Sequence, residues 1–166
     1  MQLPLIRGTI ERRILANYRV DPEVMARQLP SPFSPQLHNG HAVAGICLIR
    51  LDGIRLSCMP EALGIRSENA AHRIAVEWQP DGELQCGVYV PRRDTSCALN
   101  ALAGGRVFPG EHHRAHFDVA ESDSHYRVAM HSADGEVAVE VDGYLAEALP
   151  ADSIFESVGV VSDFFE

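Results

Sequence analysis

The sequence contains no lysine, since all 14 of its Lys and Arg residues are arginine. Without lysine, no side-chain amine is available to form a Schiff base with a carbonyl substrate or with pyridoxal phosphate. A nucleotide-binding P-loop is excluded as well, because its motif requires a lysine. Genome-wide codon bias is a sufficient cause of the absence, but the two chemistries are excluded whatever the cause.

Positive charge and long apolar runs are also scarce. The formal net charge is -9, whereas nucleic acids and anionic membranes are bound by basic surfaces. No apolar stretch reaches the ~18 residues of a membrane-spanning helix, and the N-terminus lacks the apolar run of a signal peptide. The sequence predicts a cytoplasmic protein with no nucleic acid and no membrane as partners.

Cysteine is scarce too. The four cysteines, Cys47, Cys58, Cys86 and Cys97, have neither a CxxC motif nor the spacing of a zinc ribbon. This pattern favours buried free thiols in a reducing compartment over disulfides.

The length and composition predict one domain over residues 1–166, because 166 residues suit a single core and 46% of them are hydrophobic. The pattern is that of a mainly antiparallel α+β fold with a closed or half-closed sheet. Asn39-Gly40 and Pro80-Asp81-Gly82 are hairpin signals, and residues 59–72 are expected to form a loop with a helical turn. Strands are predicted over 8–20, 41–57, 73–78, 83–90, 112–122, 125–132 and 136–147, and helices over 21–30 (with Asp21 as N-cap), 94–105 (capped by Asp94 or Thr95) and 151–166.

Four segments resemble the acetoacetate decarboxylase-like superfamily, in particular its uncharacterised YqjF-like branch. They are NYRVDPEVMARQLP (17–30), NGHAVAGICLIRL (39–51), VYVPRRDTSCALNALAGGRVFPGEHHRAHF (88–117) and SIFESVGVVSDFF (153–165). The resemblance implies a β-barrel or cone with a few peripheral helices, an internal pocket and a homo-oligomer. Members of this branch usually continue beyond the tail helix, so the chain is expected to be short at its C-terminus.

In the decarboxylases of this superfamily, a lysine that follows a proline forms the Schiff base with a small oxo acid. The matching stretch here is FPGEHHRAHF, in which the positions after Pro109 hold Gly, Glu, His, His and Arg. The resemblance therefore implies the fold and the pocket, but the decarboxylase chemistry does not carry over.

The histidines of this stretch first raise the question of a metal site. On a strand, His112 and His116 are separated by about 13 Å at ~3.3 Å per residue, which is too far for two imidazoles to share one zinc ion. A metal-dependent enzyme built on the 112–116 cluster stays a weaker alternative.

The strand phase sorts these side chains. Residues 113, 115, 117 and 119 are expected to face the interior, which aims His113 into the pocket with Glu111 at the strand entrance. A carboxylate beside an imidazole is a general acid/base pair, although His113 could equally be a core histidine bonded to the backbone. His112, Arg114 and His116 form an outward row, either solvated surface or an anion site or subunit contact at the rim.

A second candidate is PRRDTS, residues 91–96. Arg92 and Arg93 just before a predicted helix would bind a carboxylate or phosphate beside free backbone N–H groups. The structural alternative is that Asp94 caps the helix and an arginine pairs with an acidic residue.

These observations lead to one main hypothesis: a small-molecule-binding protein that takes a small anionic carboxylate and needs no cofactor. If it is an enzyme, it is a lysine-independent lyase or isomerase in which His113 and Glu111 transfer protons and Arg92, Arg93 and Arg114 bind the ligand. The alternative is a non-catalytic binding or assembly module.

Overall fold

The computed structural model describes residues 5–98 and 111–165. Nine strands form one sheet whose main path is β1-β4-β5-β6-β7-β8-β9, curled into a half-barrel. Every pairing is antiparallel except that of β6 with β7. The strands are β1 (Ile6–Val20), β2 (Ser34–Pro35), β3 (Leu37–His38), β4 (His41–Leu56), β5 (Ile65–Trp78), β6 (Gln85–Thr95), β7 (Glu111–Glu121), β8 (His125–Ser132) and β9 (Ala138–Tyr144). The helices are α1 (Pro22–Ala26) and α2 (Val158–Phe164), with short 3-10 turns at Glu61–Leu63 and Pro80–Gly82.

The local signals at the start of the chain are confirmed. Asp21 caps α1, because its carboxylate accepts hydrogen bonds from the backbone N–H groups of Glu23 and Val24. Asn39 and Gly40 both have positive φ, 48° and 78°, as a two-residue hairpin turn requires. This turn joins β3 to β4 and fixes the register of β4, a strand with five buried residues.

One face of the sheet is concave and carries the main core. Leu48, Ala70, Ala115 and Met130 come from four different strands, yet they form one buried cluster. Residues of the edge strands β1 and β9 pack against the same cluster. Side chains from opposite edges can meet in this way only because the sheet twists and curls around them.

The opposite, convex face is partly covered by the tail of the chain. Phe155 packs with Val43 and Ala75 in a second buried cluster, to which residues of α2 add their apolar side chains. The guanidinium of Arg73 lies 4.1 Å from the centre of the Phe165 ring, a cation–π contact. The tail therefore belongs to the core of this face.

Several predictions about local structure were wrong. Residues 65–72 belong to β5 and are not a loop, although the predicted helical turn is present at Glu61–Leu63. Asp94 and Thr95 lie in β6 and therefore do not cap a helix, and the rest of that predicted helix, from residue 99 on, lies outside the described residues. The tail helix begins only at Val158, after the N-cap Ser157.

Two predictions about the wider fold also need correction or comment. Cys58 and Cys86 are exposed, whereas all four thiols were expected to be buried. None of the described helices is long and apolar enough to cross a membrane.

Candidate functional site

A cluster of polar side chains lies on the concave face where β5, β6 and β7 meet. Arg92 of β6 lies opposite His72 of β5 and opposite Glu111 of β7, and Asp94 lies opposite His113. Residues opposite one another on paired strands share a face of the sheet. The parallel pairing of β6 with β7 thus brings a histidine from each neighbouring strand beside the same arginine and carboxylate. With Asp134 and Glu136 from the turn after β8, these residues are called the histidine cluster.

Asp94 is the buried centre of the histidine cluster, with a side-chain exposure of 0%. Its carboxylate lies 3.0 Å from Nε2 of His72 and accepts hydrogen bonds of 2.9 to 3.2 Å from the guanidinium of Arg92. Burial by itself would raise the pKa of Asp94, but the hydrogen bonds from His72 and Arg92 outweigh it and lower the pKa below its usual value. Asp94 is therefore an ionised group that fixes one ring nitrogen of His72.

Arg92 joins the two halves of the cluster. Besides Asp94, its guanidinium donates hydrogen bonds to Asp134 at 2.8 and 3.1 Å and to Glu136 at 2.9 Å. The hydrogen bond to Asp94 is the main reason that the pKa of Arg92 lies above its usual value. Because three carboxylates share this guanidinium, an incoming anion would have to displace one of them.

Asp134 holds the second histidine. Its carboxylate lies 2.9 Å from Nδ1 of His113, and it also accepts hydrogen bonds from the Ser132 hydroxyl at 2.5 Å and from the Glu136 backbone N–H at 3.0 Å. These two hydrogen bonds, followed by the contact with Arg92, lower the pKa of Asp134. The other ring nitrogen of His113, Nε2, lies 3.8 Å from a carboxylate oxygen of Glu111, beyond hydrogen-bond distance.

The charges of the histidine cluster do not balance. One guanidinium, that of Arg92, stands against four carboxylates, those of Glu111, Asp94, Asp134 and Glu136. Two imidazoles, each held by a carboxylate at one nitrogen, can transfer protons through the other nitrogen. The excess of negative charge supports proton transfer here, but it disfavours binding the charged end of an anionic ligand at the same place.

The structure brings together some of the residues predicted from the sequence and separates others. His113 and Glu111 share the concave face with Arg92. The pairing register of β6 with β7 places Arg93 and Arg114 on the other face of the sheet. The predicted strand phase is confirmed, because Ala115 is buried and residues 113, 117 and 119 are partly buried while 114, 116 and 118 are exposed. Glu111 is itself 85% exposed.

Sequence reasoning missed three members of the histidine cluster, His72, Asp134 and Glu136, and misjudged a fourth, Asp94. His72 was assigned to a loop, although Glu68, Ala70, His72 and Ile74 recur at the spacing of one strand face. Asp134 was taken only as part of a turn, since nothing local indicates that the turn reaches Arg92. Asp94 was interpreted as a helix cap. It is instead a strand residue of the histidine cluster, because β6 extends as far as Thr95.

A pocket of about 660 Å³ lies beside the histidine cluster, along the part of β6 that precedes its pairing with β7. Its walls include Phe33, Trp78, Tyr89 and Val88, and its charged lining residues are Arg93 and Glu111. Within the described chain, Glu111 is thus common to the histidine cluster and to this pocket, which is called the aromatic pocket below.

A larger pocket, of about 740 Å³, lies between β1 and the tail of the chain. It is lined by Val43, Phe155 and other residues of the second core cluster, and none of the histidine cluster reaches it. Size alone therefore does not identify the site of chemistry here.

A second set of charges lies near the other end of the concave face. Arg12 and Arg50 both pair with Glu68 at 2.5 Å and both pair with Glu121, and the Arg50–Glu121 distance is 2.7 Å. Burial alone would raise the pKa of Glu121, but hydrogen bonds from the two arginines lower it. These four residues, the arginine–glutamate cluster, balance one another in charge and join β1, β4, β5 and β7.

No group of three or more His, Cys, Asp or Glu side chains within residues 5–98 and 111–165 has the geometry to hold a metal ion. His112 and His116 lie on one row of a strand, as expected, and neither belongs to such a group.

Comparison with known proteins agrees with the fold. Residues 7–158 match the family DUF2071, described as "Uncharacterized conserved protein (COG2071)". Among solved structures, the chain is similar to the crystal structure of acetoacetate decarboxylase from Legionella pneumophila subsp. pneumophila str. Philadelphia 1, with a TM-score of 0.59 and 14% sequence identity. The match covers 93% of this chain and 56% of that chain, so this chain spans little more than half of the enzyme's length. No curated protein matches the chain. At such low identity the structural likeness shows the fold alone, and it confirms the acetoacetate decarboxylase-like fold expected from the sequence.

Proposed function

The chain belongs to the DUF2071 family of uncharacterised conserved proteins, and we propose that it binds a small carboxylic acid and catalyses proton transfer on it without a lysine. The reaction class is that of an isomerase or lyase working through an enol, in which one imidazole removes a proton from the carbon beside a carbonyl group. The chain has no lysine, so Schiff-base chemistry has no side-chain amine to use.

One observation carries this proposal: two histidines, His72 and His113, are each held by a carboxylate on the same concave face. A carboxylate at one ring nitrogen sets the tautomer and the orientation of an imidazole, so that the other nitrogen is ready to take or give a proton. We assign His113 as the group that transfers the proton, because its Nε2 lies 3.8 Å from a carboxylate oxygen of Glu111, which lines the aromatic pocket. Arg92 is assigned to positioning, since it fixes both carboxylates and not a ligand.

Hydrogen exchange at carbon tests the proposal before the natural substrate is known. The protein is incubated in D₂O with a panel of small 2-oxo acids, and loss of the C3 proton signal is followed by ¹H NMR. Removal of the proton gives the enol, and return of a deuteron from the imidazole gives the labelled acid, so no other reactant is needed. We expect exchange above the protein-free rate for at least one acid.

The matched variants are His113→Gln and His125→Gln. His113→Gln should lower the enzyme-dependent exchange rate about 100-fold or more, the usual effect of removing a general acid/base group. His125 also pairs with a carboxylate, Asp142 at 2.7 Å, but it lies outside the histidine cluster, so His125→Gln should leave the rate unchanged. Equal rates in the wild type and His113→Gln would remove His113 from the mechanism.

The alternative is a non-catalytic binding or assembly module, and the saturation of Arg92 favours it. The contacts of Arg92 with Asp134 and Glu136 join β6 to the turn after β8, which is what a purely structural network would do. This alternative expects no exchange with any acid, together with a loss of stability on changing His113. As an assembly, we propose a homo-oligomer formed through β1 or β9, which lie at the two ends of the described sheet path. Light scattering of the purified protein measures its mass directly.

A further inference from the structure

Arg73 is a buried arginine whose contacts in residues 5–98 and 111–165 include no carboxylate. Only 5% of the residue is exposed. Its guanidinium donates a hydrogen bond of 2.8 Å to Oδ1 of Asn17 and lies on the ring of Phe165, while its Nε atom is buried without a hydrogen-bond partner. Burial lowers the pKa of Arg73 by removing its solvation. An anion that comes close to this buried cation would therefore be bound favourably.

Asn17 connects Arg73 to the larger of the two pockets, the one between β1 and the tail, which is called the tail groove below. Asn17 of β1 and Arg73 of β5 lie on either side of Gly45 in β4. Because Gly45 has no side chain, the amide of Asn17 reaches across β4 to Arg73. Asn17 also lines the tail groove. Its amide oxygen is bound to Arg73, so the group that it can offer to a ligand is its NH₂, a hydrogen-bond donor.

The charges around the tail groove favour an anion. Its described lining contains one base, Arg19, and one acid, Asp152, and Nη2 of Arg19 lies 3.8 Å from a carboxylate oxygen of Asp152. These two charges balance each other, whereas the charge of Arg73 behind Asn17 is not balanced by a described carboxylate. A carboxylate bound at Asn17 would accept a hydrogen bond from the NH₂ group and bring the counter-charge toward the buried guanidinium.

The rest of the wall of the tail groove is mostly apolar. The sheet contributes Leu15 and Val43, and the tail contributes Leu149, Phe155 and Val161. The volume of about 740 Å³ lies within the range of ~300–1,000 Å³ that is usual for small-molecule sites. A small acid such as acetate would leave this wall in contact with water, whereas a hydrocarbon chain would cover it. The groove therefore suits a ligand that has both a negative head group and an apolar chain.

We infer that the tail groove binds monocarboxylic acids that carry a hydrocarbon chain. The carboxylate binds Asn17 in front of Arg73, and the chain lies along the apolar wall between β1 and the tail. This site is on the convex face, and none of the histidine cluster lines it. It therefore goes beyond the proposed function and does not rest on it. Since Phe155 and Val161 also belong to the second core cluster, the bound chain would help to hold the tail against the sheet.

Isothermal titration calorimetry with octanoate tests this inference. Octanamide and acetate are titrated in parallel, because octanamide lacks the charge and acetate lacks the chain. We expect saturable binding of octanoate, and at least tenfold weaker binding of either comparison ligand. From butanoate through hexanoate to octanoate, the affinity should rise by up to about fourfold for each CH₂ group that becomes buried.

Asn17→Asp is the decisive variant, because it places a carboxylate oxygen where the amide oxygen lies, 2.8 Å from Nη2 of Arg73, with little change of shape. The protein then supplies the counter-charge itself. The variant should melt at a higher temperature than the wild type and bind octanoate at least tenfold more weakly. Gln28→Glu is its control, since it changes the net charge equally at an exposed position that lines neither pocket. This control should bind octanoate as the wild type does.

A second variant keeps the test valid if Asn17→Asp fails to fold. Val158 lines the tail groove and is 62% exposed, so Val158→Glu adds a carboxylate at the groove without placing it in the core. This variant should also weaken octanoate binding, because the two carboxylates repel each other. Unchanged affinity for octanoate in Asn17→Asp, or in Val158→Glu if only that variant folds, would overturn the inference.

The remaining outcomes separate the parts of the inference. Equal affinities for octanoate and octanamide would overturn the role of Arg73, and equal affinities for octanoate and acetate would overturn the role of the apolar wall. His113→Gln should bind octanoate normally, and a loss of binding there would mean that the acid occupies the histidine cluster instead. If octanoate produces neither saturable heat nor a rise in the melting temperature, the tail groove is not a site for such acids, whatever the result of the deuterium-exchange experiment.

Discussion

Replacing Asp94 by asparagine should destabilise the protein by about 3 kcal/mol. Asp94 is fully buried and receives hydrogen bonds from both Arg92 and His72. Removing one partner of a buried ion pair usually costs ~3–5 kcal/mol, because the other charge stays buried without compensation. Arg92 keeps Asp134 and Glu136 in the variant, so we expect the lower end of that range.

The assay is urea denaturation at pH 7, supported by calorimetry. For a domain of this size, ~1 kcal/mol changes the melting temperature by about 2–4 °C, so the melting temperature of Asp94→Asn should fall by about 6–12 °C. The pH dependence has a definite sign. Because the pKa of Asp94 in the folded protein lies below its ordinary value of 3.8, its stabilisation is complete above that pH and is lost as the pH falls further. The difference in the free energy of unfolding between the wild type and Asp94→Asn should therefore become smaller below about pH 4.

Asp142→Asn is the matched control. Asp142 also pairs with a histidine, but its side chain is 50% exposed, and exposed ion pairs contribute at most about 1 kcal/mol. The reasoning would be refuted if Asp94→Asn lost less than about 1 kcal/mol, or if the two variants were equally destabilised. Either result would mean that the histidine cluster does not hold β5 and β6 together.

Three further predictions are open to the same denaturation assay. Leu48→Ala should cost about 2–5 kcal/mol, because Leu48 is fully buried in the concave core; a loss below 1 kcal/mol would place it outside the core. Gly45→Ala should be clearly destabilising, since a Cβ atom there would come 2.2 Å from the backbone oxygen of Ala16. Gly143→Ala is its control, because a Cβ atom at that position meets nothing within 4 Å and the change should be nearly neutral. Equal losses of stability in the two variants would contradict the close approach of β1 to β4. Arg12→Ala should cost about 3 kcal/mol, because two carboxylates of the arginine–glutamate cluster would lose a partner whose side chain is only 8% exposed; a neutral result would show that the cluster is not structural.

The parts of the fold that depend on local signals were predictable. Asp21, Asn39 and Gly40 act through hydrogen bonds and dihedral angles within a few residues, so the α1 cap and the β3–β4 turn follow directly from the sequence. The phase of β7 was predictable as well, because alternation along one strand decides which side chains share a face. His113 was identified for that reason.

The candidate site itself was only partly predictable. The residues from Asp94 onward carry the sequence signals of a helix start, yet Asp94 and Thr95 belong to β6. They do so because β5 supplies backbone partners for β6 as far as Thr95. The same extension of β6 places Arg92 opposite His72, a residue that lay in a segment interpreted as a loop. Strand pairing of this kind depends on residues distant in the sequence, which local propensity does not record.

By itself, the sequence determined that Schiff-base chemistry has no lysine to use, that the fold is a mainly antiparallel sheet of the acetoacetate decarboxylase-like type, and that His113 faces inward. Composition is sufficient for the first conclusion and short-range periodicity for the strand phase, whereas the acetoacetate decarboxylase-like type of fold was implied by the family resemblance. Only the tertiary structure decided which charges meet: it joined His72, Asp94 and Asp134 through Arg92, and it separated Arg93 from its neighbour in the chain. The physical reason is that successive residues of a strand point to opposite faces, while the partners across the sheet are set by the curl and register of the whole fold.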